Sequence, residues 1–184
     1  MQRLFGKILA GEIAKPSSYS IRTIKLMGQM DPDVAQTFQR FCSMCITYYT
    51  TDGVFDSRVL TLGTDRRLSL YEYGLDYVHI ETLAEYGLIS NVTPVKFPYG
   101  MAVPGSGVSA IVPVRYNNRS YFMNAIPPKK AVDFELHNEL GIGLSRVGRE
   151  LLSIVEIEEN ILYTRAIRSY LEKQGLRLRE AVAD

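Results

Sequence analysis

At 184 residues, with 46% apolar and 22% charged side chains, the chain has the make-up of a soluble globular protein, which excludes a disordered tail and a disulfide-stapled mini-protein. Lys+Arg 21 against Asp+Glu 20 leaves a net charge of +1, so no global field draws it to phosphate or an anionic membrane, and a nucleic-acid site would have to be a local patch. The opening, interrupted by Arg3, Lys7 and Glu12, is not a signal peptide; no run is apolar enough to span a bilayer, and two cysteines suit a reducing compartment, so the expected location is the cytoplasm.

Leu4, Phe5, Ile8, Leu9 and Ile13 recur at helical spacing from almost the first residue, with no capping residue before them. This predicts a helix that starts uncapped, and with it an expectation that more polypeptide precedes Met1. Lys15-Pro16 ends that helix. Ser20 then caps a second, burying Ile21, Ile24 and Met27, and Asp31-Pro32 opens a third, whose Val34, Phe38, Phe41 and Cys45 form one stripe. From Thr50 to Tyr73 only short apolar pieces appear, more strand or loop than helix. A helix over Asp76 to Tyr86 follows, closed by Gly87 in the left-handed position with Leu88 against Leu83.

A passage rich in proline and glycine leads to two strands, Val108 to Tyr116 and Arg119 to Ile126, joined by an Asn117-Asn118 turn. Pro113 marks the first of them as an edge strand. Pro127-Pro128-Lys129-Lys130 breaks the chain before two closing helices, Ser145 to Ile157 and Ile161 to Gln174, the second stopped by Gly175. The expected fold is therefore α+β and mainly α. A winged-helix-like unit with a small antiparallel sheet (50–130) is flanked by N-terminal helices (1–49) and C-terminal helices (131–184), all within one domain.

No catalytic set, metal site or cofactor motif emerges. Cys42-x-x-Cys45 has zinc or redox spacing, but the only histidines, His79 and His137, offer no paired ligands, and Cys45 sits on an apolar stripe. His79 lies near Glu81 and Glu85 with no nucleophile beside it. Gly141-Ile142-Gly143 and Gly105-Ser106-Gly107 lack the rest of a phosphate loop and read as flexible connections. The helix that would enter a DNA groove carries Asp76, Glu81 and Glu85 and no basic residue, which opposes groove binding. Twelve tyrosines and no tryptophan favour protein contact instead.

Leu4-Phe5-Gly6-Lys7-Ile8-Leu9-Ala10-Gly11-Glu12, followed by Lys15-Pro16-Ser17-Ser18-Tyr19-Ser20, resembles the opening signature of a bacterial family, domain of unknown function 2806. Phe5 stands where related sequences have tryptophan, and Ser17-Ser18-Tyr19 replaces a glycine-serine-phenylalanine block. Leu83 to Ile89 and Leu144 to Leu151 look like its later blocks. The resemblance implies the C-terminal part of a longer polypeptide and supplies no catalytic residues to transfer. Loosely similar domains are linked to abortive infection against phage.

The expected role is a non-enzymatic protein-interaction or regulatory module, contacting a protein partner or a second copy through Tyr77, Glu81, Glu85, Tyr86, Tyr116 and Tyr121. The alternatives are a winged-helix DNA-binding regulator using Arg66, Arg67, Arg115 and Arg119, and a component of a phage-defence system.

Overall fold

The computed structural model describes residues 19–50, 53–63, 67–90, 95–98, 111–126 and 138–181. The expected first helix, Arg66, the Gly105-Ser106-Gly107 pair, the Pro127–Lys130 break and His137 lie outside the described residues.

Helix α1 (Ile21–Gln29) starts where expected, with the Ser20 hydroxyl accepting from the Thr23 amide. Its inward face differs from the expected one. Thr23 and Met27 are buried, whereas Ile21 is 73% exposed and Ile24 faces outward as well. The Thr23 hydroxyl donates to Glu150 at 2.6 Å, which turns the helix so that this polar pair is satisfied at the expense of two isoleucines. Helix α2 (Pro32–Cys42) buries Val34, Phe38 and Phe41 as the stripe predicts, but ends at Cys42. Its N-terminal Asp31 accepts from the Tyr86 hydroxyl at 2.8 Å rather than capping its own helix.

Two antiparallel strands follow, β1 (Ile46–Thr50) and β2 (Gly53–Leu60), then a 3-10 helix (Arg67–Tyr73) and α3 (Tyr77–Glu85). Helix α3 is closed at both ends. Asp76 accepts from the His79 amide at 2.8 Å while the His79 ring accepts from the Asp76 amide, a reciprocal capping box. At the other end Gly87 adopts φ +69, its amide donates to Ala84, and the Leu88 amide donates to Leu83, the double bond of a Schellman closure.

Beyond β3 (Val95–Pro98), strands β4 (Ile111–Tyr116) and β5 (Arg119–Ala125) form the expected hairpin, with Asn117 and Asn118 both at positive φ. Strand β6 (Asn138–Gly143), α4 (Arg146–Leu152), α5 (Ile161–Lys173) and β7 (Leu176–Glu180) complete the described chain. The expected helix over Ser145 to Ile157 stops after Leu152, although Ile154 remains buried.

The seven strands form one sheet in the order β3-β6-β2-β1-β4-β5-β7, and every neighbouring pair is antiparallel. This overturns the mainly α, winged-helix reading. The supposed wing, β4 with β5, is the interior of a large sheet rather than a free ribbon. Pro113 is correspondingly not on an edge strand: β4 lies between β1 and β5. The ladder from β1 stops at Tyr48 opposite Val114, so the missing proline amide falls just past its end.

Alternation along the strands separates two faces. Ile46, Tyr48, Val112, Val114, Tyr116, Tyr121, Met123 and Leu178 share one and are buried. Helix α5 packs there: the Tyr163 hydroxyl donates to Leu60 carbonyl at 2.8 Å, and Thr164 and Tyr116 share a hydroxyl bond of 2.8 Å. The other face carries Thr47, Ser57 and Arg115 at its centre.

Candidate functional site

Ser57, Thr47 and Arg115 stand opposite one another across β2, β1 and β4. The hydroxyls of Thr47 and Ser57 lie 2.9 Å apart and both side chains are buried. They floor a cleft of about 340 Å³ between this face of the sheet and the segment from Arg149 to Ile157. Val54, Leu152 and Ile157 make part of its wall apolar, and Arg115 stands at the rim, exposed, with a long 3.4 Å hydrogen bond to Asn118. Arg149 also lines the cleft but spends one donor on the Leu144 carbonyl at 3.1 Å.

The titratable groups here are committed to structure. Glu150 accepts from the Ser20 amide at 2.8 Å, from the Thr23 hydroxyl at 2.6 Å and from Arg146 at 3.1 Å. Burial by itself pushes its carboxyl up, but the Thr23, Ser20 and Arg146 donors outweigh burial and hold it below its ordinary value of 4.5. A carboxylate with a lowered folded pKa stabilises the fold above its unfolded value, and that contribution is lost as pH falls through the folded value. Glu150→Gln is therefore expected to cost about 1–2 kcal/mol at neutral pH. The gap between wild type and variant should close as the solution is acidified below pH 4.5 in urea titrations; a gap that stays constant into acid would show that charge is not what Glu150 contributes.

Cys45 borders the cleft, and burial pushes its thiol and that of Cys42 well above the usual range, so neither supplies a thiolate. Both are free and buried, and among the described residues no cluster of three or more potential ligands forms. His79 is occupied as the capping partner of Asp76.

The expected interaction surface is not assembled in one place. Tyr77 and Glu81 are half-buried on α3, Glu85 is exposed, and the Tyr86 hydroxyl is tied to Asp31. Tyr116 and Tyr121 are only 1% and 4% exposed, because the strand alternation turns them under α5. Of the four arginines of the DNA reading, Arg66 lies outside the described residues and the other three are likewise dispersed. Arg67 begins the 3-10 helix, Arg115 rims the cleft, and Arg119 pairs opposite Tyr116 on the other face, 3.7 Å from Glu180. Sequence reasoning did not find Thr47, Ser57 or Arg149; the alternation in Ile46-Thr47-Tyr48-Tyr49 is a local sign for Thr47 alone.

With this geometry in hand, the relationship of the chain to known proteins can be stated. It belongs to the family described as protein of unknown function (DUF2806), whose model matches residues 1–93. That range holds α1 to α3, β1 and β2, and so the cleft floor; the hairpin, the cleft roof and the resembling block at Leu144 to Leu151 follow it. The match thus falls on the N-terminal half of this chain rather than marking it as a C-terminal part. No curated protein and no solved structure matches the chain. Among the described residues no helix is long and apolar enough to cross a membrane.

Proposed function

We propose that the chain is a non-enzymatic regulatory module that takes a small organic anion into the cleft above β1, β2 and β4. The observation that carries this reading is a built floor, the buried Thr47–Ser57 hydroxyl pair, next to an exposed guanidinium on Arg115. A cleft of about 340 Å³ lies within the size range of small-molecule sites, and mixed apolar walls with a few convergent polar groups are their usual make-up. An anionic end would meet Arg115, a hydroxyl or carbonyl would exchange bonds with the floor, and an apolar body would rest on Leu152 and Ile157. The non-enzymatic part is supported by the state of Glu150 and Cys45: one is held by three donors and the other is kept as a thiol, so neither is poised as base or nucleophile.

The tyrosines expected to form a protein-contact surface are not gathered in one place, and the DNA reading lacks the winged helix it was built on. Thermal unfolding in the presence of a panel of aromatic and aliphatic carboxylates tests the proposal. A carboxylate at a hundredfold excess over its Kd should stabilise the wild type by about 2.7 kcal/mol. Arg115→Ala and the cleft-filling Leu152→Trp should abolish that shift. Stabilisation that persists in both variants, or a wild type indifferent to the whole panel, refutes the assignment.

A further inference from the structure

Past the cleft, the same face of the sheet continues across β4, β5 and β7, where several of the described side chains are exposed. The register sets Pro113, Phe122 and Arg179 in one row, Asn124 beside Arg177 in the next, and Arg115 beside Ser120 on the other side. Phe122 points outward with 43% of its surface exposed, while its neighbours Tyr121 and Met123 are buried on the opposite face. Arg115 and Arg179 are exposed, and Arg177 is 52% exposed and forms a long, exposed ion pair with Glu172 at 3.8 Å.

Neither β4 nor β5 contains an acidic residue, and the one in β7, Glu180, points to the other face toward Arg119. The described residues of β4, β5 and β7 thus place three guanidiniums around one exposed aromatic ring and no acidic side chain on this face, with Glu172 reaching Arg177 from the end of α5. Each of the three arginines is directly opposed or diagonal to Phe122, a spacing of about 5–8 Å on adjacent strands, so an extended ligand lying over the ring can reach all of them.

We infer that this face binds single-stranded nucleic acid, with a base stacked on Phe122 and the backbone phosphates held by Arg115, Arg177 and Arg179. An unpaired base has an open π-face that a duplex withholds, and stacking on an aromatic side chain needs no particular sequence. An acidic peptide would satisfy the arginines but gives the exposed ring nothing to stack on, so the aromatic decides between them. The assignment shares Arg115 with the proposed cleft ligand but does not use the cleft itself: Leu152→Trp, which fills the cleft, should leave strand binding intact.

Fluorescence anisotropy with labelled single-stranded RNA and DNA oligonucleotides of about 12 nucleotides, a length suited to one small domain, tests it. The wild type should bind at low salt, with affinity falling steeply as salt rises. Phe122→Ala removes an exposed side chain and should weaken binding about tenfold with little change in the salt slope. Arg179→Glu should abolish binding and Arg177→Gln should reduce the salt slope, with unfolding midpoints confirming that each variant is folded. A preference for RNA over DNA would identify a contact to the ribose 2′-hydroxyl, and equal binding would assign the shared phosphate-and-base chemistry; either supports the inference. Absence of binding at low salt, equal affinity for the matching duplex, or equal binding by Phe122→Ala with polyglutamate as a full competitor overturns it.

Discussion

Gly148→Ala is expected to lose about 3 kcal/mol or more of stability, at the upper end of what overpacking costs, even though alanine is the better helix former. Gly148 lies in the first turn of α4, its amide donating to the Ser145 cap at 3.1 Å. A Cβ there would collide with the carbonyl oxygen of Leu88 and stand 2.9 Å from a Leu144 methyl. That Leu88 carbonyl already accepts from the Ser145 amide at 3.0 Å, and the Ser145 hydroxyl donates to Gly87 at 2.6 Å. The helix therefore begins against the Schellman closure of α3, backbone to backbone, and neither side can yield without breaking capping bonds. Gly28→Ala is the control. Gly28 lies in α1 with nothing within 4 Å of the added methyl, so there helix propensity alone acts and a gain of up to about 1 kcal/mol is expected. Urea titrations of both variants decide the point; a Gly148→Ala protein as stable as wild type would mean that the two elements are not in this contact.

Both outcomes concern helices, and several helix ends were legible in the sequence, although α2 and α4 stop earlier than expected and Asp31 makes no capping bond. Ser20, Asp76, Gly87, Ser145 and Gly175 each perform the terminal role their residue type suggests, because a cap is a local transaction within four or five residues. The Asn117-Asn118 turn is legible for the same reason. The sheet was not. Ile46-Thr47-Tyr48-Tyr49 follows α2 with no proline or glycine between, so Cys45 looked like the end of a helical stripe when it lies just before β1.

Gly141 and Gly143 looked like a flexible loop, yet Gly141 sits in β6 because a Cβ would come within 2.8 Å of the Val59 carbonyl oxygen on the neighbouring strand. Strand β7 is only five residues long and begins directly after the helix stop at Gly175, and its partner, β5, is about fifty residues earlier in the chain. Strand partners of that kind leave no periodic trace in one chain.

The candidate site shared this fate, because its floor is made where three strands meet. Glu81 and Glu85 lie on α3, but α3 is not the recognition element of a wing, and Arg177 and Arg179 belong to a strand beyond Gly175 where only C-terminal helices were expected.

Tyr163→Ala is expected to cost about 3–5 kcal/mol, as for other large aromatic side chains removed from a core. The ring is fully buried and meets Tyr73 edge to face at 5.2 Å, joining α5 to the 3-10 helix, while its hydroxyl joins α5 to β2 through Leu60. Tyr163→Phe keeps the ring and should cost only about 1 kcal/mol, the net worth of one hydrogen bond. The difference between the two variants separates packing from bonding at this seam.

The same buried phenols make the fold sensitive to alkali. Burial pushes Tyr163 well above its ordinary value of 10 and Tyr116 up to about 12. A raised folded pKa gives a contribution that is whole below the unfolded value and disappears as pH climbs through the folded one. For Tyr116, the rise from 10 to about 12 corresponds to about 2–3 kcal/mol lost across that window. Urea midpoints taken from about pH 9 to about pH 12 should therefore drop steeply for the wild type and less steeply for Tyr116→Phe, with phenolate absorbance rising together with unfolding. Parallel losses in the two proteins would show that Tyr116 gives up its proton as readily inside the fold as outside it, and that the sheet face beneath α5 admits water.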